Sequence, residues 1–173
     1  MQIENVKAKL PVDALTEIML GEGFSHGDIK VGMEEYCRLL VLLRSNREPL
    51  RPTKLGDEVL HLHLKMARFD HDCLDILGAK LNHYASDRES VELTAMWQRT
   101  RELTIATFGI DPLTGGNRHV SDKSHPVVNE QAAPCHVTLE QAAPCHVTLE
   151  QAAPCHVTLE QAAPCHVTLE QAA

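Results

Sequence analysis

A cysteine followed directly by a histidine occurs four times in this sequence, at intervals of ten residues. The pairs are Cys135-His136, Cys145-His146, Cys155-His156 and Cys165-His166. A thiolate is a strong nucleophile and a soft metal ligand, and an adjacent imidazole can favour the thiolate or act as a second ligand. These residue types therefore allow two kinds of chemistry, covalent modification of the thiol and coordination of a metal ion.

Covalent modification is favoured by a threonine three positions after each cysteine. These residues are Thr138, Thr148, Thr158 and Thr168. A dehydrated threonine could be attacked by the thiol to close a thioether ring. Alternatively, the thiol could attack the preceding carbonyl carbon and be oxidised into a five-membered heterocycle. Both outcomes require a separate maturation enzyme.

The pairs belong to a decapeptide, Gln-Ala-Ala-Pro-Cys-His-Val-Thr-Leu-Glu, which is repeated four times without substitution from Gln131 to Glu170, with a partial fifth copy to Ala173. Strict identity is unusual for a packed core, in which inner and edge positions have different demands. The recurring proline excludes a long helix, and each copy has little apolar surface. We expect residues 131–173 to be largely disordered.

The segment 113–130 connects these repeats to the rest of the chain and contains Gly115-Gly116. Apolar residues lie four, seven and twelve positions before a cut after Gly116, at Leu113, Ile110 and Ile105. This spacing is similar to that of double-glycine leaders removed by transporter-linked cysteine peptidases. A glycine pair is also an ordinary helix exit and linker. Cleavage at Gly115 and Gly116 is therefore one prediction and a plain linker is the other.

The arrangement as a whole resembles precursors of ribosomally synthesised, post-translationally modified peptides. The resemblance implies a helical leader that recruits a maturase, tandem core peptides that are modified at cysteine, and release by a processing peptidase or exporter. It implies no enzyme activity and no cofactor for the precursor itself. One docking event would present several cores at high effective concentration.

Two other functions stay open. In the first, the repeats form a metal buffer, because eight Cys and His side chains could supply two tetrahedral zinc sites or bind several copper(I) ions. In the second, the repeats are chemically inert and extend a small helical interaction domain.

Residues 1–112 vary enough to encode a domain. Apolar residues at helical spacing predict helices over 11–20 and 29–43, and over 53–78 as one long helix or two with a bend near His63. A capping box at Ser86 and Glu89 predicts the start of a last helix, which ends at Gly109. We find no convincing strand pair. The prediction is an all-α domain of four or five helices followed by the repeat tail.

The stretch from Tyr36 to Tyr84 resembles the helical domain of glycine-rich-domain-type proteins. The matching positions are Asp57, His61, His63, Phe69, Asp72-Cys73, Gly78 and His83. Leu60 stands where that family usually has Trp. The resemblance implies an all-α fold.

Asp57, His61 and His83 form a further candidate metal site, for zinc or iron. Asp57 and His61 are four positions apart and share a helix face, whereas His63 points about 200° around the axis from His61. The alternative is that Asp57 orients His61 by a hydrogen bond and both fix helix packing. The acidic residues that follow, including Asp72, are predicted to form a solvated face.

Composition limits the remaining functions. The net charge is −8 and no basic patch is available, which argues against nucleic-acid binding. No stretch approaches the roughly 18 apolar residues that insert into a membrane, so we expect a cytoplasmic protein whose processed peptide could be exported. Cys37 and Cys73 are expected to be buried, reduced and inert. No nucleophile constellation or phosphate loop indicates an enzyme.

Overall fold

The computed structural model describes residues 2–86, 88–114 and 132–140, and the two-residue segments 147–148 and 167–168. It divides into two units, Met1–Glu140 and Gln141–Ala173. The elements are α1 (Ile3–Lys7), α2 (Val12–Gly21), α3 (His26–Asn46), α4 (Lys54–Leu64), α5 (Phe69–Leu77), β1 (Leu81–Ala85), α6 (Val91–Phe108), a 3₁₀ turn (Pro112–Thr114), β2 (Cys135–Leu139), β3 (Val147–Thr148) and β4 (Val167–Thr168).

Side-chain caps fix where three of the helices begin. The hydroxyls of Ser25, Thr53 and Ser90 accept hydrogen bonds from backbone N–H groups three residues later, at the starts of α3, α4 and α6. Gly78 and Gly109 end α5 and α6 in the left-handed region, at φ of 70° and 68°. The chain can therefore turn sharply from α5 into β1.

Helix α3 is the centre of the first unit and contacts α1, α2, α4, α5 and α6. Its inner side chains include Tyr36, Leu40 and Leu43, which are almost fully buried. Because α3 is covered on several sides, its buried positions exceed one apolar stripe.

Two glycines bring α3 and α4 close together. A Cβ atom at Gly32 in α3 would lie 3.0 Å from the carbonyl oxygen of Leu55 in α4, and one at Gly56 in α4 would lie 3.4 Å from the backbone nitrogen of Tyr36 in α3. This approach fixes the position of α4, which carries Asp57 and His61.

The first unit also contains a two-stranded antiparallel sheet. Strand β1 pairs with β2, which is Cys135–Leu139 of the first repeat, in a register that sets Leu81 opposite Leu139 and Ala85 opposite Cys135. Isolated bridges join Val137 to Leu50 and Ala132 to Thr53 on the other edge of β2. The first repeat therefore lies between β1 and residues 50–53.

In the second unit, the Val-Thr segments of the second and fourth repeats form the parallel pair β3 and β4.

The helical fold class is confirmed, with six α-helices in the described part of the chain. The region 53–78 forms two helices, α4 and α5, with the break after Leu64. The last helix begins later than the Ser86–Glu89 pattern predicts, because Ser90 caps it and the Glu89 carboxylate binds Arg51.

None of the described helices is long and apolar enough to cross a bilayer.

The first repeat differs from the predicted disordered tail and from the expectation of no strand pair. Its residues 132–140 are ordered because Ala133, Cys135, Val137 and Leu139 are buried against the helical domain. The predicted cleavage site at Gly115 and Gly116 lies outside the described residues.

Candidate metal site

Helix α4 supplies the first two side chains of a four-residue cluster. The Thr53 cap starts α4 at Lys54, so that Asp57 and His61 fall on one face, four positions apart. Asp57 is buried at 4% exposure. Oδ2 of Asp57 lies 3.8 Å from Nε2 of His61, which is too long for a hydrogen bond. The predicted hydrogen bond from His61 to Asp57, which would orient the imidazole, is therefore not observed.

The two strands supply the other two side chains. His83 of β1 and Cys135 of β2 point to the same face of the sheet, because residues at alternate positions share a face. Nε2 of His83 lies 3.4 Å from Oδ1 of Asp57 and 3.2 Å from Nε2 of His61. The Sγ atom of Cys135 lies 3.9 Å from Nε2 of His61.

The potential ligand atoms of Asp57, His61, His83 and Cys135 all lie within 4.8 Å of one another. In a tetrahedral zinc site with bonds of about 2.0–2.3 Å, neighbouring ligand atoms are about 3.3–3.8 Å apart. With Oδ1 as the Asp57 ligand atom, the observed separations include 3.2, 3.4 and 3.9 Å, and all of the ligand atoms lie within 4.8 Å of one another. The cluster is therefore slightly more open than a metal-centred tetrahedron, and small side-chain movements would close it around an ion.

The protonation chemistry of the cluster follows from its burial. Burial, and then the hydrogen bond to Asp57 and its charge, raise the pKa of the Cys135 thiol to about 12. Burial also lowers the pKa of His83, against the opposing charge of Asp57. Oδ1 of Asp57 is buried without a hydrogen-bond partner among the described residues. A neutral imidazole and an unsatisfied carboxylate oxygen are both ready to coordinate a cation.

Backbone hydrogen bonds hold Cys135 in this position from both edges of β2. On one edge, Leu50 and Val137 exchange two bonds, of 3.0 and 2.8 Å, and the Ala133 N–H donates to the Pro52 carbonyl at 3.0 Å. On the other edge, the ladder with β1 is extended by the Ser86 N–H, which donates to the Pro134 carbonyl at 3.0 Å.

Arg51 adds a side-chain contact to the first repeat. Its Nε donates to the Ala133 carbonyl, while its two terminal nitrogens donate to the Glu89 carboxylate at 2.7 and 2.9 Å. Arg51 is only 3% exposed. This buried guanidinium therefore connects the repeat to Glu89, which precedes the Ser90 cap of α6.

His63 belongs to a different network, as the helical geometry predicts. Its Nδ1 lies 2.8 Å from the Tyr36 hydroxyl and its Nε2 lies 3.1 Å from Oδ2 of Asp72, which also binds Arg68. Asp72 is 2% exposed, so the prediction that it lies on a solvated acidic face is wrong.

Cys37 and Cys73 are buried free thiols, and burial raises their pKa values to about 11 and 12.

The residues of the first repeat separate onto two faces. His136 stacks on Tyr84 at a centroid distance of 5.1 Å on the face opposite Cys135, so it does not join its neighbour in the cluster. Thr138 is on the same outer face as His136. The corresponding side chains of the later repeats lie outside the described residues: Cys145, His146, Thr148, Cys155, His156, Thr158, Cys165, His166 and Thr168.

The sequence singled out Asp57, His61 and His83 as one candidate site and Cys135 as part of another, and the structure brings all four together. One sequence signal could have identified the first repeat as a strand. Cys135, Val137 and Leu139 alternate with polar residues, which is typical of a half-buried strand.

Comparison of the chain with protein-family models, with curated proteins and with solved structures found no match. The resemblances to glycine-rich-domain-type proteins and to modified-peptide precursors therefore stay predictions.

Proposed function

We propose that this protein binds a zinc ion through Asp57, His61, His83 and Cys135, and that the ion fastens the first repeat to the helical domain. The observation that carries the proposal is the convergence of four ligand atoms from α4, β1 and β2 within 4.8 Å. The two histidines are 22 positions apart and the cysteine is 74 positions from His61, so local sequence does not force this convergence.

The ligand set favours zinc over copper(I) and iron(II). A carboxylate is a poor ligand for copper(I), which selects thiolates and thioethers. Iron(II) suits two histidines and one carboxylate, but its sites usually keep open positions. Here the Cys135 thiolate supplies a fourth, soft ligand, which completes a tetrahedron for zinc, a metal of borderline softness.

A site filled by four protein ligands binds a metal without offering a position to substrate. Its effect is on folding, because an ion that binds only the native arrangement adds its binding free energy to stability. Coordination would also remove the proton from Cys135, since thiolate is the form that binds zinc. The proposed role is therefore structural.

The test uses the full chain with Cys145, Cys155 and Cys165 replaced by serine. This variant keeps the proposed site and removes the other tail thiols. Dialysis against zinc followed by metal analysis should find one zinc per chain. A repeat-based buffer, which needs thiols from neighbouring repeats, predicts a loss of most bound zinc.

Histidine variants in the same background make the test specific. His61→Gln should abolish stoichiometric zinc binding, while His71→Gln should leave it unchanged. His71 is a suitable control because its side chain is 85% exposed on α5 and lies outside the cluster. Equal zinc content in both variants would exclude the proposed site.

As a second function, we propose that this protein is the precursor of a modified peptide. The docked first repeat then limits which of the repeats can be modified. Cys135 is buried at 2% exposure and Thr138 lies on the opposite face of β2, so a ring between them is sterically disfavoured while the repeat is bound. The substrates of a maturase would then be the repeats that the helical domain does not hold.

Intact-mass analysis after coexpression with neighbouring genes tests this second proposal. A modified precursor should show up to three mass increments of one fixed size per chain, with one repeat protected. A chain that always keeps its unmodified mass would argue against this function.

A further inference from the structure

The first repeat occupies a slot that needs a strand. We define the slot as the gap between β1 and residues 50–53, in which residues 132–140 form the central strand. Removing that strand would leave the inward backbone groups of β1, Leu50 and Pro52 without their present partners. Only water or another extended segment could then satisfy these groups, so an extended segment in the slot stabilises the helical domain.

The slot recognises a short pattern of side chains. Ala133 and Val137 are fully buried, and Cys135 and Leu139 are 2% and 8% exposed. The other contacts include the stacking of His136 on Tyr84 and hydrogen bonds to the repeat's backbone, through Leu50, Pro52, Ser86 and the ladder with β1. Recognition therefore depends on small or apolar residues at alternate positions of an extended decapeptide.

Nothing within the docked segment distinguishes the first repeat from the other three. All four decapeptides are identical, a glutamate precedes each one, and Gln-Ala-Ala follows each one. Every contact made by residues 132–140 is therefore available to residues 142–150, 152–160 and 162–170.

We propose that the slot is a binding site for the repeat sequence and that the four repeats of a chain exchange in it. The repeats differ only in the length of the connection from Thr114, which grows by ten residues for each repeat passed over. Loop-closure entropy then disfavours the second repeat about twofold and the fourth about fourfold relative to the first. The first repeat is the most populated occupant, at roughly half of the molecules, and each of the others is substantially populated.

This exchange does not depend on metal binding, because the backbone pairing and the buried side chains carry it. Its test is therefore performed in a chelator, where failure of the zinc proposal has no effect on the result.

The first experiment leaves one repeat able to dock in the full chain. A buried aspartate at the central valine position bars a repeat from the slot. One variant carries Val137→Asp, Val157→Asp and Val167→Asp, so that only the second repeat is intact. The matched control carries Val147→Asp, Val157→Asp and Val167→Asp, so that only the first repeat is intact.

Iodoacetamide labelling reports which thiol is protected. Digestion after glutamate separates the decapeptides, and the intact repeat differs in mass from those that carry aspartate. Exchange predicts that Cys145 in the first variant labels at least about tenfold more slowly than the mean of the three aspartate-bearing repeats, as Cys135 does in the control. Labelling of Cys145 at that mean rate in a folded chain would overturn the proposal, as would unfolding of the second-repeat variant alone.

A second experiment uses a conservative variant and does not rely on folding of the aspartate chains. Thr138→Ser, on the outer face of β2, tags the first repeat by mass in an otherwise native protein. With exchange, Cys135 is protected only part of the time and labels no more than about threefold more slowly than the mean of the other tail thiols. A slowdown of about tenfold or more would show a permanently fixed first repeat and would overturn the exchange.

Discussion

The Sγ atom of Cys135 lies 3.9 Å from Nε2 of His61, although 74 positions separate the two residues in the chain. The contact exists because β2 is held between β1 and residues 50–53 while α4 lies beneath it with Asp57 and His61. A repeat unit thus completes a cluster that begins in the helical domain.

Zinc affinity should rise with pH between about 6.5 and 8, by roughly tenfold per unit. The pKa of Cys135 is raised to about 12, so the thiol is protonated throughout this range and zinc must displace one proton. The pKa of His83 is lowered by burial, so this imidazole is already neutral and adds little to the slope. Calorimetry in two buffers of different ionisation enthalpy measures the proton release. A pH-independent affinity would contradict the assignment of Cys135 as a ligand.

Arg51→Lys should weaken docking of the repeat by about 2 kcal/mol, because lysine cannot reproduce the fork to Glu89 together with the bond to Ala133. Faster labelling of the tail thiols in a chelator measures the effect. Arg99→Lys is the control, since Arg99 forms an exposed pair with Glu48 and should change stability by less than about 0.5 kcal/mol. Similar effects of the two substitutions would show that Arg51 does not hold the repeat.

Val59→Ala and Val137→Ala should differ in cost although both valines are fully buried. Val59 in α4 has no substitute, and its truncation should cost about 2 kcal/mol. The other three repeats carry an equivalent valine, so one of them can dock in place of the truncated repeat. Exchange therefore limits the cost of Val137→Ala to about 0.4–0.5 kcal/mol, which is the loop-closure penalty for docking another repeat. Urea unfolding of the two variants provides the comparison. Equal costs would indicate that the later repeats cannot replace the first.

The network of His63 and Asp72 should make stability fall in acid. Burial lowers the pKa of His63, although Asp72 partly opposes it, so its contribution to stability is present above about pH 6.5 and is lost as the pH falls through the lowered value. Burial acts to raise the pKa of Asp72, but hydrogen bonds from Arg68 and His63 outweigh it and hold the pKa below the ordinary 3.8. The contribution of Asp72 is therefore lost only at still lower pH.

Urea unfolding between pH 7.5 and 3 tests this dependence. His63→Gln should flatten the profile between pH 7 and 5 and His26→Gln should leave it unchanged, because His26 is exposed at the start of α3, outside this network. A profile that is equally steep in all three proteins would exclude His63 as its source.

The helices could be predicted because their information is local. Apolar spacing defined α2 and α3, and the change of direction near His63 marked the end of α4. The short helix α1 and the strand β1 were missed. Five residues give too little periodicity for a confident assignment, and β1 is stabilised by a partner far away in the chain.

The candidate site was only partly visible in the sequence for the same reason. Spacing of four residues identified Asp57 and His61 as neighbours, and His83 could be proposed as a third member. Cys135 could not be assigned to them, because strand pairing over a long separation leaves no local mark and three other cysteines have the same surroundings.

The position of β2 changes what a cut at the glycine pair would achieve. Gly116 precedes β2 in the chain and follows β1, so hydrolysis after Gly116 would turn one polypeptide into a two-chain complex. The severed carboxyl-terminal piece would stay attached through the central strand, and proteolysis alone would not liberate it. Release of the carboxyl-terminal piece would then require dissociation of β2 from the sheet. Native mass spectrometry of the nicked protein would detect both pieces together.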